Sequence, residues 1–348
     1  MAVPGNTRLE EIDALRGIAA LLVAFVFHIH HLLGLPRTGP LDGLPLFSWL
    51  HDHGYVLVDL FFVISGFIFA HVYLTGDRIN ATAREFAVAR FARLYPLHLV
   101  TLLASAVILS GGPTASAENC CNDLPHFVLN LFMLQESGLN QGLSFNSPAW
   151  SISVEVLCYI VFYVLAAKAS GWFWQAAFLL TALGFLVTGV GSVQVDHIAR
   201  GLCGFFAGTI AFQLRTAPPV LWLLLLPAGF VLLPILPGFS MGAVLSVTSW
   251  PALVNLARHL PLLRARALGW LGDRSYSIYL IHSPVYMALN VLVFWGQPVA
   301  PAQTVGMMLV GWVLVLVASD LSFRLLESPS RRWLRQRLSQ PRTEFVRG

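Results

Sequence analysis

Four stretches of this chain hold ionisable residues inside, or at the edge of, long apolar runs. They are Leu15-Arg16-Gly17 leading to His28, Val58-Asp59-Leu60-Phe61-Phe62-Val63-Ile64-Ser65-Gly66, Arg90-Phe91-Ala92-Arg93-Leu94-Tyr95-Pro96, and Trp150-Ser151-Ile152-Ser153-Val154-Glu155. An ionisable group in hydrocarbon costs about 3 kcal/mol or more, so it is seldom kept there without a use. Histidine is the side chain suited to taking a proton from a hydroxyl near neutral pH. His28, His30 and His31 cluster near one end of the first apolar run, roughly 18 Å along a helix from Arg16 at 1.5 Å per residue. Interfacial histidines that cap a helix end and touch lipid headgroups are the alternative.

Arg90 and Arg93 are three residues apart and share a helix face. Two guanidinium groups side by side bind phosphate bidentately. Equally, arginines at cytoplasmic helix ends set topology. Asp59 heads an unbroken apolar stretch, where it orients His28, binds a polar substrate group or pairs with an arginine as structure. Glu155 lies about one turn into its helix with Tyr159 on the same face, placed to bind acceptor hydroxyls or to pair with a helix-1 cation. Trp150 opens that helix. Ser65-Gly66 reads as a close helix contact, and no G-x-S-x-G nucleophile elbow is present. His282, alone in Ser275-Tyr276-Ser277-Ile278-Tyr279-Leu280-Ile281-His282, reads as a packing residue.

These residues need a scaffold, and composition names its class. The 348 residues are 57% hydrophobic and 11% charged, with mean hydropathy +0.72. A soluble domain carries about 25% charged residues, so the chain is expected to be an all-α integral membrane protein. Taking about 20 apolar residues per crossing, helices are predicted near 14–35, 55–74, 95–112, 149–168, 172–190, 197–214, 219–236, 239–258, 275–296 and 302–326. The apolar piece 124–135 is half a span and reads as re-entrant or interfacial. Basic clusters (Arg78, Arg84, Arg90 and Arg93; Arg258, Arg264, Arg266 and Arg274; Arg331, Arg332, Arg335, Arg337, Arg342 and Arg347) fall between these segments. If all three clusters are cytoplasmic, even numbers of spans separate them. Ten helices with both termini cytoplasmic satisfy that parity.

The net charge of +4 resides almost wholly in arginine and implies no nucleic-acid partner. Glu10, Glu11 and Asp13 precede the first apolar run, unlike a cleavable signal. Residues 1–333 form one membrane domain and 334–348 a short basic cytoplasmic tail. Cys120, Cys121, Cys158 and Cys203 lack a zinc-ligand spacing; a disulfide involving the loop pair and free thiols are both open.

Together these segments resemble the acyltransferase family 3 proteins of bacterial membranes, O-acyltransferases acting on sugars and other hydroxyl compounds. The resemblance runs from Leu9 to Trp333. It rests on the Leu-Arg-Gly-Ile-Ala-Ala opening, Val-Asp-Leu-Phe-Phe-Val-Ile-Ser-Gly-Phe, Arg-x-x-Arg-Leu-Tyr-Pro, Trp-Ser-Ile-Ser-Val-Glu, the Ser-Tyr to His282 run, and Arg324-Leu325-Leu326-Glu327-Ser328-Pro329. It implies a multi-pass protein of the bacterial cytoplasmic (inner) membrane. It also implies acyl-CoA, usually acetyl-CoA, as co-substrate from the cytoplasmic side, with no tightly bound cofactor and no metal. His28 matches the family's essential histidine, and Arg16, Arg90 and Arg93 match its functional arginines, here given the donor. Asp59, Glu155, Trp150 and Tyr159 are expected to bind or orient the acceptor, a glycan or glycosylated molecule.

Two departures stand out. The family's histidine follows its arginine by eleven residues, and that position here is Phe27. On a regular helix His28 lies about 120° around from Arg16, His30 about 40° and His31 about 60°, so His30 and His31 stand as alternative bases. The family's Glu-Glu is Glu155-Val156 here. The resemblance implies a hydroxyl acyltransferase with a histidine general base; the alternatives are a non-catalytic transporter or flippase, or an assembly partner for a glycan.

Overall fold

The computed structural model describes residues 8–35, 43–110, 121–188, 193–295, 297 and 299–339. Arg342, Arg347 and Cys120 lie outside the described residues. The described residues are overwhelmingly helical: α1 (Glu10–Leu33), α2 (Pro45–His53), α3 (Val56–Tyr73), α4 (Ala83–Ser110), α5 (Leu124–Leu131), α6 (Trp150–Lys168), α7 (Phe173–Val187), α8 (Val193–Gln213), α9 (Pro219–Leu232), α10 (Met241–Val247), α11 (Ser249–Ala257), α12 (Arg266–Phe294), α13 (Thr304–Ser322) and α14 (Ser328–Ser339). The only sheet among them is a two-residue hairpin, β1 (Leu74–Thr75) with β2 (Arg78–Ile79).

Among the described residues seven helical stretches are long and apolar enough to cross a membrane, against ten expected. All ten predicted segments are helical, but three fall short as spans. The 219–236 segment gives α9, 14 residues long. The 239–258 segment breaks at Thr248 (φ −127°, ψ −83°) into α10 and α11. The 197–214 segment gives α8, 21 residues long but interrupted by Asp196, His197 and Arg200. Apolar side chains such as Phe178, Leu224, Leu292 and Val313 are exposed while Asp59, His282 and Asn290 are sealed inside. That inversion suits a hydrocarbon solvent, where polar groups must be satisfied internally.

Three boundaries differ from expectation in ways that matter for the site. Helix α4 begins at Ala83, not at 95, because Thr82 and Glu85 form a capping box: Glu85 N–H donates to Thr82 Oγ1 (3.3 Å) and Thr82 N–H to Glu85 Oε2 (3.0 Å). Arg90 and Arg93 therefore sit within a continuous helix that accommodates Pro96. Helix α12 begins at Arg266, not at 275. After α13, which ends before the expected 326, a π-turn (Phe323–Glu327) leads straight into α14, so Arg331, Arg332 and Arg335 are helical. Helix α5 is short and N-capped by Asp123, which accepts from His126 N–H at 3.0 Å; that bond and the His126 ring hold the Asp123 carboxyl below the usual carboxylate range. Cys158 and Cys203 are free and buried, whereas Cys121 is disulfide-bonded.

Three intimate helix pairs organise the bundle, α3 against α8, α1 against α12 and α7 against α8. Helices α1 and α12 cross at Gly17 and Gly272. A Cβ on Gly17 would stand 2.7 Å from the Gly272 nitrogen, and one on Gly272 would stand 2.6 Å from the Asp13 carbonyl oxygen. This contact seats Arg16 beside Ser275. Gly17→Ala must push the helices apart, and overpacking of this kind costs about 1–3 kcal/mol. The variant is expected to unfold at lower SDS in a detergent titration, and an unshifted midpoint would show that the crossing tolerates a methyl group.

Candidate functional site

Helices α1, α3, α4, α6 and α12 enclose a chamber of about 190 Å³. Its wall is largely apolar, from Val58, Phe61, Phe62, Ile68, Phe69, Leu94 and Ile152, with Glu155, Tyr159, Ser65, Arg16, Arg90 and Arg93 set into it. Glu155 Oε1 accepts from both Ser65 Oγ and Tyr159 Oη at 2.5 Å. Arg16 Nε donates to Ser275 Oγ (2.9 Å), and its Nη2 pairs with Asp13 Oδ1 (2.9 Å). The Arg90 guanidinium lies over the rings of Phe69 (5.0 Å) and Tyr73 (5.4 Å), with Nε buried and lacking a hydrogen-bond partner. Among the described residues neither Arg90 nor Arg93 forms an ion pair.

At its arginine end the chamber adjoins a larger vestibule of about 480 Å³. This is lined by Arg8, Arg16, Arg93, Arg331, Arg332, Arg335, Asp13, Asp273, Phe323 and Ser328. Asp13, Arg16 and Arg93 border both spaces. Six arginines face two aspartates there, and both aspartates are engaged by Arg8. Both arginines of Arg-x-x-Arg line the chamber, and of the two Arg93 alone also lines the vestibule.

At the far end of the chamber, Phe61 and Tyr279 meet edge to face with centroids 5.3 Å apart. Tyr279 Oη donates to the Pro148 carbonyl (3.0 Å) and lies 2.9 Å from Ser151 Oγ. His282 follows Tyr279 by three residues, about 4.5 Å further along the helix axis. His28 Nδ1 lies 2.9 Å from His282 Nε2. His28 is buried but does not line the chamber; the Phe61–Tyr279 pair stands between. A five-residue π-turn, Val23–Phe27, immediately precedes His28. Such a turn absorbs one extra residue, so the twelve-residue spacing from Arg16 returns His28 to about 20° from the arginine instead of about 120°. His30 meets the His51 ring edge-on (4.2 Å) and His31 faces Phe27 and His51. Both look toward α2 rather than His282.

Beyond the histidines lies a charged cluster. Asp59 is 0% exposed, with Arg200 Nε on Oδ1 (2.9 Å) and Nη2 on Oδ2 (2.7 Å). The Arg200 guanidinium also lies over Trp150 (5.6 Å) and Tyr55 (5.4 Å), and Trp150 stacks on His197 at 3.9 Å. Nearby, Gln135 Oε1 and Asn146 Oδ1 are buried without hydrogen-bond partners, and Glu136 Oε2 has only His197 Nδ1 near it, at 3.3 Å.

The structure thus brings Arg16, Arg90, Arg93, Glu155 and Tyr159 into one chamber, and places His28, Asp59 and Trp150 beyond its far end. Sequence reasoning passed over Arg200, gave Tyr279 no role of its own, and read His282 as a packing residue and the arginines of α14 as a basic cluster that sets topology. Arg200 heads an apolar run as Asp59 does, but Asp196 four residues before it offered a nearer partner. His282 lacked any local signal, since its meaning comes from His28 on another helix.

Residues 9–322 match the family model described as an acyltransferase domain. The chain is 30% identical over 299 residues to the exopolysaccharide production protein ExoZ of Rhizobium meliloti, covering 79% of this chain and 89% of that protein. It is 28% identical over 385 residues to the acyltransferase MdmB of Streptomyces mycarofaciens, covering 96% and 94%. It is 23% identical over 367 residues to the peptidoglycan O-acetyltransferase OatA of Listeria monocytogenes, covering 92% of this chain and 55% of that protein. No solved structure matches the chain.

Proposed function

The chain belongs to acyltransferase family 3, and from that premise we propose that it moves an acyl group, acetyl in the first instance, from acyl-CoA to a hydroxyl of a carbohydrate or a glycosylated metabolite or lipid. One observation carries the donor assignment: the arginine-lined vestibule shares Asp13, Arg16 and Arg93 with a largely apolar chamber. A polyphosphate head with a thin, uncharged thioester arm has that shape and charge. The phosphates of CoA lie against Arg8, Arg93, Arg331, Arg332 and Arg335, where guanidinium groups bind them bidentately. The pantetheine arm runs past Glu155 and Tyr159 toward Phe61 and Tyr279. Under the topology expected for the basic clusters, the vestibule faces the cytoplasm, where acyl-CoA is found, in a multi-pass inner-membrane protein with both termini on that side.

At the far end, His28 Nε2 takes the proton of the acceptor hydroxyl as its oxygen attacks the acyl carbonyl. The C–S bond breaks, CoA leaves as the thiolate and recovers the proton. Phe61 and Tyr279, in edge-to-face contact, must part for the donor's acyl carbon to reach the histidine. Asp59 orients Arg200, and Arg200 with Trp150 faces the acceptor. The unpartnered oxygens of Gln135 and Asn146 are acceptors only, and sugar hydroxyls supply the donors they lack. The printed names of the relatives, an exopolysaccharide production protein and a peptidoglycan O-acetyltransferase, support a glycan acceptor.

The test is thiol release from acetyl-CoA by the purified protein in detergent, with a panel of crude glycans. Acceptor-dependent release is expected; absence of both release and CoA binding would end the donor assignment. Arg93→Gln is expected to weaken acetyl-CoA binding about 10–100-fold in calorimetry, the loss of one charge-assisted contact of about 1.5–3 kcal/mol. Arg264→Gln removes a charge that pairs with Glu11 outside the vestibule and should leave the affinity unchanged. Equal losses in both variants would point to a diffuse field instead of a built site.

A further inference from the structure

The hydrogen bonds around His282 determine how the histidine pair shares its protons. His282 Nδ1 lies 3.1 Å from the Ile278 carbonyl oxygen. A carbonyl only accepts, so Nδ1 carries the hydrogen, and in a neutral imidazole the other nitrogen is then bare. That bare Nε2 faces His28 Nδ1 at 2.9 Å, so His28 Nδ1 is the donor. His28 is left with its lone pair on Nε2. The rings lie nearly parallel, 13° apart with centroids at 5.0 Å.

Exposure separates the two roles. His282 is 0% exposed and His28 is 8% exposed. His282 is also walled by the rings of Tyr279 and Tyr286, each with its centroid 6.0 Å away. Any molecule reaching the pair meets His28; His282 touches nothing but protein.

We infer that His282 is a positioning residue, which relays the Ile278 carbonyl through its own ring and holds His28 in the tautomer whose Nε2 is free to take a proton. The nitrogen that keeps its hydrogen in a catalytic histidine is set by the bond its other nitrogen makes. Carboxylates commonly fill that place. A neutral imidazole backed by a carbonyl fills it here without burying a second charge beside the reacting centre, where an unpaired carboxylate would be costly. The arrangement also pins the ring plane of His28 directly after the π-turn that swings it toward α12. This inference rests on His28 being the base of the proposed reaction.

The test uses full-length protein with 15N-labelled imidazoles in detergent, read by long-range proton–nitrogen correlation. His28 is expected to show a pyrrole-type Nδ1 and a pyridine-type Nε2. In His282→Phe the His28 signals should move toward the opposite tautomer or an average, and kcat should fall about 10²-fold or more, as for a misheld general base, with KM for acetyl-CoA unchanged. His282→Gln keeps an oxygen able to accept from His28 Nδ1–H and should recover most of the loss. A wild-type His28 protonated on Nε2 would overturn the inference even if His282→Phe did not fold. So would an unchanged kcat in a folded His282→Phe. Should His28→Ala keep its activity while the tautomer is as described, the base assignment fails, and with it the catalytic meaning of the pair, although the hydrogen-bond chain is real.

Discussion

Replacing His28 by alanine is expected to lower kcat for acyl transfer about 10²–10⁴-fold, the usual contribution of a general base, while acetyl-CoA still binds. The two effects separate because the arginine vestibule and the histidine pair lie at opposite ends of the chamber, with Phe61 and Tyr279 between them. The same substitution at His30 or His31 should leave kcat within a few-fold of the parent. On a regular helix these two would be nearer the face of Arg16, but the Val23–Phe27 π-turn rotates everything after it by one residue. His28 then meets His282, and His30 and His31 meet His51. Single-turnover transfer from radiolabelled acetyl-CoA, with binding measured separately, would test the triplet. A His30→Ala enzyme as inactive as His28→Ala, with the fold intact, would move the base one position along and remove the significance of the π-turn.

The helical, membrane-embedded character of the chain and the motif residues of the chamber were legible in the sequence because they depend on local quantities: hydropathy, helical spacing and runs of charge. Arg90, Arg93, Glu155 and Tyr159 do share one chamber. The rest needed partners that sequence separation hides. A π-turn leaves no local mark, so the His28 spacing read as a departure when the helix itself absorbs it. Thr248 breaks a segment whose hydropathy is that of a span. The arginines of α14 read as a topogenic tail because nothing near them shows that α14 folds back against α4 to line the vestibule. Arg200 stayed unclaimed because its partner, Asp59, is 141 residues away.

That pair carries the second large effect. Asp59→Asn alone is expected to destabilise the protein by about 3 kcal/mol, the low end of the cost of breaking a buried pair, because Arg200 keeps the partly exposed Asp196 at 3.8 Å. Both oxygens of Asp59 are held by Arg200 and the carboxylate is sealed; Arg200 in turn anchors Trp150 through its guanidinium face. The site permits little relaxation, because a Cβ added at Gly242 would fall 2.6 Å from the Asp59 carboxyl carbon, so α10 packs directly on the group. Removing both charges in Asp59→Asn with Arg200→Gln should recover much of the loss, since two amides can hydrogen-bond where two ions did. The two single variants and the double form a thermodynamic cycle in SDS-titrated unfolding, and a strongly non-additive double is expected. If the single variants instead keep parental stability and alter only KM for the acceptor, Asp59 is a substrate-binding group rather than the clamp on Arg200, and the pair seen here must open during turnover. A cycle that is simply additive would mean the ions never depended on each other, which two hydrogen bonds of 2.7 and 2.9 Å in a sealed site make untenable.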